Sequence, residues 1–170
     1  MPVLDASVVV DALVVAGSAG DLGRDEMRRL TTLQVPAIFT AEVTSSLRGL
    51  VQGRALSPIR AKAALTEILS VKTLSYPFEP FARRVWELRD SLTVYDAWYV
   101  ALAERLEAEL VTADKRLADA SGPRCPVRYL DPGGQRPAST KPPGDAQSTT
   151  GRLPAITAHE VRVSSEGGCP

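Results

Sequence analysis

The sequence predicts an α/β domain with a mostly parallel central sheet flanked by helices. Short apolar segments of strand length alternate with longer segments of helical periodicity, the pattern of a parallel sheet with helical connections. The composition agrees, because 44% of the 170 residues are hydrophobic and 24% are charged. We therefore expect one hydrophobic core in the folded part of the chain.

The N-terminal half supplies two of the strands, each followed closely by a helix. The predicted order is a strand over residues 1–6, a helix from Ser7 as N-cap, a break over 17–23, a helix over 25–33, a strand over 35–39, a helix over 40–53 and a further helix from Ser57 and Pro58. The glycines between residues 17 and 23 predict the break.

The C-terminal half supplies the remaining strands. The predicted order is a strand over 71–74, a helix over 78–92, a helix over 95–106, a strand over 109–112, a short helix over 114–120 and a strand over 127–130. The helix over 95–106 is apolar on nearly every face, so we expect it to be buried.

Charge and residue counts exclude several classes of protein. Lys plus Arg number 20 and Asp plus Glu number 20, so the net charge of zero excludes a protein that coats polyanions generally. His159 is the only histidine, and Cys125 and Cys169 form no C-x-x-C pair. Structural zinc, disulfides and histidine catalysis are therefore not expected.

The composition changes near Asp131. Residues 131–170 contain six Pro, six Gly and eight Ser or Thr, with few large apolar side chains. Such a segment gains too little from burial to offset the entropy of ordering it. We therefore expect a folded domain over residues 1–130 and a disordered tail over 131–170.

The first residues superficially resemble a secretory leader. They lack a basic segment, and Asp5 and Asp11 interrupt the apolar run, which argues against a leader and against a membrane span. We expect a cytoplasmic protein that does not associate with membranes.

Four acidic residues lie where predicted strands meet helices. Asp5 follows the first strand and Asp114 follows the strand that ends at Thr112, so both project from the carboxyl edge of a parallel sheet. Helix capping and the helix dipole also explain Asp114 and Glu42, which lies in the first turn of a helix. Asp5 and Asp96 lie in apolar runs, where an unpaired carboxylate is disfavoured.

The carboxylates of Asp5 and Asp96 need a cation, and no Lys or Arg adjoins either of them in sequence. Since the predicted folded domain has no histidine, a divalent cation with oxygen ligands is the natural partner, and such sites suit Mg²⁺ or Mn²⁺. The hydroxyls of Ser7 and Thr112 are placed to orient a carboxylate or a metal-bound water.

Positive charge is concentrated in the middle of the sequence. Residues 43–90 carry eight basic and four acidic side chains, whereas residues 1–42 carry three and six. This favours contact with nucleic-acid phosphates, although a solvated helix face gives the same pattern. The candidate phosphate contacts are Arg48, Arg54, Arg83, Arg84, Arg89, Lys115 and Arg116. Phe78, Phe81 and Trp86 are expected in the core or in dimer contacts rather than as base-stacking platforms.

The four acids lie in four short motifs. These are Val3–Ser7, Ala41–Val43 followed by Leu47 and Arg48, Tyr95–Ala97 running into Ala101–Glu104, and Leu110–Leu117. In this order and at these separations they resemble the motifs of PIN-domain ribonucleases, most closely the VapC-type toxins of bacterial toxin–antitoxin modules, over roughly residues 1–130. The resemblance implies a three-layer α/β fold and an endoribonuclease that depends on Mg²⁺ or Mn²⁺.

The resemblance also implies residue roles and partners. It implies Asp5, Glu42, Asp96 and Asp114 as catalytic residues, all but Glu42 as metal ligands, and leaves open whether one or two ions bind. The implied partners are an RNA substrate, a VapB-type antitoxin that blocks the site, and a second copy in a homodimer. The tail departs from the family pattern, as does Trp98, which is bulkier than the small residue expected beside Asp96.

Candidate substrate contacts around these acids are Ser7, Thr112, Lys115, Arg116 and Arg48. Two alternative functions stay open on the sequence. A metal-dependent phosphatase or phospho-acceptor domain also places acids at strand ends, but a haloacid-dehalogenase phosphatase has a second Asp where this chain has Ser7, and a receiver domain has an acidic pair near its first strand. The other alternative is a non-catalytic binding module whose acids only cap helices.

Overall fold

The computed structural model describes residues 1–133. The predicted disordered tail over 131–170, with His159 and Cys169, lies outside these residues except for its first three positions. The last described residues contact the domain, since the hydroxyl of Ser18 donates a 2.9 Å hydrogen bond to the carbonyl of Pro132.

Five strands form the described sheets, and every pairing between them is parallel. The strands are β1 (Val3–Leu4), β2 (Leu33–Pro36), β3 (Thr73–Tyr76), β4 (Leu110–Thr112) and β5 (Val127–Tyr129). β4 lies between β1 and β5, and β2 pairs with β3. In the β1–β4 register Leu4 lies opposite Val111, so the residues after both strands emerge at the same edge.

Seven α-helices connect the strands. They are α1 (Ala6–Val14), α2 (Ser18–Arg28), α3 (Phe39–Gln52), α4 (Pro58–Ser70), α5 (Ala82–Glu87), α6 (Val94–Arg105) and α7 (Lys115–Ala118), with a short 3-10 turn over Glu79–Phe81. α1 packs against α2, α3, α4 and β4, whereas α6 packs against α5 and against β1, β2 and β4. The predicted α/β fold with helices on either side of a mostly parallel sheet is confirmed.

Helix α6 forms the centre of the core, as its apolar sequence predicts. Residues Ala97 to Ala103 are all buried, and Val100, Leu102 and Ala103 have no exposed surface. Burial on every face explains why charged side chains on this helix are confined to its two ends, and Asp96 lies at the first of them.

The predicted break over 17–23 is wrong, because α2 begins at Ser18 and contains both Gly20 and Gly23. These glycines are needed for packing. A Cβ on Gly23 would lie 2.7 Å from the carbonyl oxygen of Val8 in α1, and one on Gly20 would lie 1.9 Å from that of Val15. Glycine at these positions therefore stabilises the fold more, by allowing the backbones to approach closely, than its low helix propensity destabilises α2.

The helix predicted over 78–92 is also wrong in extent. The 3-10 turn comes first, then α5 covers only Ala82–Glu87. Pro80 lies in the 3-10 turn, which it tolerates as one of the first residues of a helical segment, and Phe81 is buried as predicted. Trp86, expected in the core or a dimer contact, has an exposed side chain that stacks on the Arg89 guanidinium at 5.1 Å.

Among residues 1–133 no single helix has the length and apolar character needed to cross a membrane. Helices α1 and α2 meet that criterion only when joined, and they are bent by 114° at their junction.

The α1–α2 contact gives a test of the fold. Gly23→Ala places a methyl group against the backbone of α1, so we expect the free energy of unfolding to fall by about 1–3 kcal/mol. Gly49→Ala is the matched control, because a Cβ there meets nothing within 4 Å. This exposed position in α3 should gain about 0.5–1 kcal/mol. Chemical denaturation of both variants measures the difference, and equal stabilities would contradict the packing described here.

Candidate active site

Asp5 lies at the carboxyl edge of the sheet, directly after β1. Its backbone N–H donates a 2.9 Å hydrogen bond to the carbonyl of Val111, which continues the β1–β4 ladder. It occupies the N-cap position of α1, yet its side chain makes no capping hydrogen bond. The side chain is buried, with 7% relative exposure. Capping therefore does not explain this carboxylate.

Two hydroxyl groups hold Asp5. Ser7 Oγ donates a short hydrogen bond to Asp5 Oδ2, and Thr112 Oγ1 donates to the same oxygen at 2.8 Å. The hydroxyls accept in turn from backbone N–H groups, Ser7 from Ala113 at 3.0 Å and Thr112 from Asp114 at 2.9 Å. Each hydroxyl has one proton and both protons point at Asp5. Orienting a carboxylate, one of the two roles expected for Ser7 and Thr112, is therefore the role the structure shows.

Glu42 is held in a similar way by Tyr99. It lies in the first turn of α3, and its Oε2 accepts a 2.7 Å hydrogen bond from the Tyr99 hydroxyl. Tyr99 belongs to α6 and is buried, and both burial and the charge of Glu42 raise the pKa of its hydroxyl. Tyr99 is therefore a permanent hydrogen-bond donor that fixes Glu42 against α6.

Asp96 is held by Thr93, the N-cap of α6. Thr93 Oγ1 accepts from the backbone N–H of Asp96 at 3.2 Å and donates to Asp96 Oδ2 at 2.7 Å. Thr93 thus caps the start of the helix and orients the Asp96 carboxylate through the same hydroxyl. Asp96 is half-buried rather than enclosed in the apolar run, because it lies in the first turn, where α6 emerges from the core.

The three carboxylates influence one another. Burial is the largest cause that raises the pKa of Asp5, and the charge of Asp96 raises it further. Burial likewise raises the pKa of Glu42, with smaller contributions from the charges of Asp5 and Asp96. Within residues 1–133 no Lys or Arg forms a salt bridge with any of the three. The negative charge of this carboxylate cluster, Asp5, Glu42 and Asp96, is thus left uncompensated.

Asp114 differs from the carboxylate cluster in its bonding. Its Oδ1 caps α7 by accepting from the backbone N–H of Arg116 at 2.8 Å, and its Oδ2 lies 2.9 Å from Arg116 Nη2. The hydrogen bond from Arg116 is the largest cause that lowers the pKa of Asp114. The capping explanation therefore applies to Asp114, whose two oxygens are both occupied.

The donor set of the carboxylate cluster suits a hard divalent cation. On Asp5, Glu42 and Asp96 a hydroxyl occupies one oxygen, and no described side chain hydrogen-bonds the other. Such oxygens are the ligands Mg²⁺ and Mn²⁺ prefer. No three acidic side chains within residues 1–133 stand close enough together to form a ready-made ligand set. The oxygens fit the ion in kind, and burial raises the pKa of both Asp5 and Glu42.

Most of the described chain matches a known family. Residues 3–123 match the PIN domain. Ribonuclease VapC9 of Mycobacterium tuberculosis is 39% identical over 130 residues, which cover 76% of this chain and 98% of VapC9. The chain belongs to the PIN-domain family of VapC ribonucleases. The resemblance predicted from the four motifs is confirmed, and the family favours a ribonuclease over a phosphatase or a binding module.

Other VapC proteins of the same organism agree over the same region. Ribonuclease VapC1 is 37% identical over 129 residues, covering 75% of this chain and 96% of the relative. Ribonuclease VapC12 is 35% identical over 130 residues, covering 76% of this chain and 99% of the relative. The matched region of this VapC homologue thus corresponds in length to almost the whole of each relative.

The basic candidates of this VapC homologue lie in different surroundings. Arg116 is almost fully exposed, and the charge of Asp96 contributes to raising its pKa, which places it near the carboxylate cluster. Lys115 is exposed and pairs with Asp119 at 2.8 Å. Arg48 lines an apolar groove of about 310 Å³ between α3 and α4, whose lining includes none of the four acids. Of Arg116, Lys115 and Arg48, Arg116 is therefore the one whose charge interacts with a member of the carboxylate cluster.

Tyr99 and Thr93 were missed by sequence reasoning, although they hold two of the acids of this PIN domain. Tyr99 is one of few polar groups within the apolar helix α6 and lies three residues after Asp96, on the same side of the helix. Thr93 is three residues before Asp96, the spacing of a capping box. Both signals were present in the sequence.

Uncompensated charge gives a stability test. Because the pKa of Asp5 is raised in the folded state, this group favours folding only while protonated, and stability falls as pH rises from its unfolded pKa near 3.8. We expect Asp5→Asn to raise the melting temperature at pH 7, and to lose this advantage in acid. Thermal melts across the pH range measure it.

Asp114→Asn is the matched control. The pKa of Asp114 is lowered, so its charge stabilises the fold above the unfolded pKa and that contribution is lost as pH falls. The variant should therefore melt no higher than the wild type at pH 7. A lower melting temperature for Asp5→Asn at neutral pH would contradict the electrostatics described here.

Proposed function

We propose that this chain is a divalent-metal-dependent endoribonuclease and the toxin of a toxin–antitoxin pair. Family membership supports an RNA-cleaving hydrolase, because the chain matches nearly the whole length of relatives that are named ribonucleases. The observation that carries the metal dependence is the carboxylate cluster, whose charges have no basic partner among residues 1–133. The scissile phosphodiester is itself an anion, so it cannot approach this cluster until positive charge is bound there.

Asp5, Asp96 and Asp114 are the proposed ligands of Mg²⁺ or Mn²⁺. When bound, such an ion neutralises phosphate charge and activates a water. Asp5 contributes Oδ1, because the hydroxyls of Ser7 and Thr112 both bond its Oδ2. Asp96 likewise contributes Oδ1, because Thr93 bonds its Oδ2. Asp114 contributes only if its pairing with Arg116 rearranges.

Glu42 has a separate proposed role as the group that orients the attacking water and accepts its proton. Tyr99 occupies Oε2, which leaves Oε1 for a water. A raised pKa makes Glu42 a stronger proton acceptor than an ordinary glutamate. The hydrogen bond from Tyr99 keeps this carboxylate in place while it carries the proton.

Arg116 is proposed to contact the RNA phosphate. Its guanidinium lies near Asp96 and is 91% exposed, so it can turn from Asp114 to a bound phosphate. That exchange would also free an oxygen of Asp114. We also propose substrate contacts for Arg48, Lys115, Ser7 and Thr112. Ser7 and Thr112 would act indirectly, through their hydrogen bonds to Asp5.

We further propose a VapB-type antitoxin that blocks the site, a homodimer, and a cytoplasmic location. An antitoxin suits a nuclease whose substrates are the RNAs of the cell that makes it. These proposals rest on the family. Co-expression with a VapB-type antitoxin, followed by co-purification, tests the first of them.

Cleavage of total cellular RNA tests the proposed activity. The purified antitoxin-free full chain should give discrete fragments with Mg²⁺ or Mn²⁺, and none in EDTA, because the uncompensated cluster repels phosphate. Asp96→Asn should reduce cleavage by at least about a hundredfold, as expected when a group that positions a catalytic ion is lost. Metal-independent cleavage, or full activity in Asp96→Asn, would refute the proposal.

Arg116→Ala tests the phosphate contact. The variant should raise KM several-fold and reduce the slope of log KM against log salt by about one, because one phosphate contact is lost. Arg28→Ala is the matched control, since Arg28 is also an exposed arginine paired at 2.8 Å with a nearby aspartate, Asp25. Equal salt slopes for the two variants would rule out the contact.

A further inference from the structure

Tyr95 is an exposed aromatic residue beside the buried core of α6. Its relative exposure is 53%, and that of its neighbour Val94 is 52%. The helix is buried from Ala97 onward, so these two apolar side chains lie just outside the point where the core ends. An exposed aromatic ring next to a polar site gains nothing from the core and is available to bind a flat apolar surface.

The position of Tyr95 on α6 places it at the carboxylate cluster. Asp96 is the next residue, and Tyr99 lies one turn further along the same helix face, four residues on. Tyr99 reaches Glu42 with its hydroxyl at 2.7 Å. Tyr95 therefore shares a helix face with the residue that touches the cluster, and it lies at the solvent end of that face.

The charges near Asp96 add a second element of recognition. Arg116 is 91% exposed, and its Nη2 lies 2.9 Å from Oδ2 of Asp114, which follows β4 at the carboxyl edge of the sheet. An exposed aromatic ring and an exposed guanidinium thus adjoin two of the four candidate acids, Asp96 and Asp114. A ring that stacks on a base, with a cation that contacts the adjoining phosphate, is the combination with which proteins hold single-stranded nucleic acid.

We infer that Tyr95 is a stacking platform for an unpaired nucleobase next to the phosphate that is cleaved. This inference rests on the proposed ribonuclease function. The apolar patch is small, because Ser91 and Thr93 on its N-terminal side are exposed polar residues. A stable protein interface buries roughly 800 Å² on each partner, far more than two side chains provide, whereas one base covers a single ring. The size of the patch favours a base over a protein partner.

A binding experiment tests the inference without cleavage. Every protein carries Asp5→Asn, which replaces a residue proposed to be needed for cleavage and removes one charge of the cluster. Each is titrated, with Mg²⁺ present, into fluorophore-labelled single-stranded RNA of randomised sequence. A second strand has the same sugar-phosphate backbone without bases. We expect the added Tyr95→Ala to weaken binding of the RNA about tenfold, the range of one lost stacking contact, and to leave binding of the abasic strand unchanged.

Two control variants define the role of the ring. Tyr95→Phe keeps the aromatic face and should keep RNA affinity, and Val94→Ala removes an equally exposed apolar side chain and should have no effect. Equal RNA affinity with and without Tyr95→Ala would overturn the inference. So would an equal loss on both strands, since that would be a general effect on the fold or on backbone binding.

Separate readouts distinguish this inference from the proposed function. Tyr95-dependent binding by a protein whose wild type cleaves no RNA would support the stacking and refute the nuclease. Wild-type cleavage together with an RNA affinity that does not depend on Tyr95 would support the nuclease and refute the stacking. A change in oligomeric state of Tyr95→Ala on size-exclusion chromatography, with unchanged RNA affinity, would assign the patch to a protein interface and overturn the inference.

Discussion

Hydroxyl groups bonded to carboxylates are the interaction on which the candidate site depends. Ser7 and Thr112 hold Asp5, Tyr99 holds Glu42 and Thr93 holds Asp96. A neutral donor fixes the direction of a carboxylate without neutralising it, in contrast to Arg116, which pairs with Asp114. The site thus keeps its acids ordered and negatively charged at the same time, which is the condition for binding a cation rather than a lysine or arginine of the same chain.

The rest of the domain stabilises this unfavourable arrangement. Glu26 of α2 is buried and forms two hydrogen bonds of 3.1 Å with Arg128 in β5. Arg84 of α5 pairs with Glu104 of α6 at 2.7 Å. Arginine compensates both of these acids, in contrast to the three acids of the carboxylate cluster.

Much of the fold and the positions of the acids could be predicted from the sequence. Parallel strands bring their carboxyl ends to one edge, which sufficed to place Asp5 and Asp114 at the same edge, and the apolar run after Asp96 predicted the buried helix. The bonding of each acid could not be predicted, because it depends on contacts distant in sequence, such as Tyr99 with Glu42. Gly20 and Gly23 were misinterpreted for the same reason. Glycine in a loop and glycine at a helix contact look alike until the neighbouring helix is known.

The contact at Gly23 also constrains how this surface can vary. Helix α1 begins directly after Asp5, and its backbone lies so close to α2 that no side chain fits at Gly23. The placement of Asp5, the most buried acid of the candidate site, thus depends through α1 on the absence of a side chain at Gly23 in α2. If α2 were randomised and functional sequences recovered, its solvent-facing positions would diversify while position 23 stayed glycine. Glycine at this position, far from any reacting group, would then be retained because of helix packing and not because of a role in catalysis.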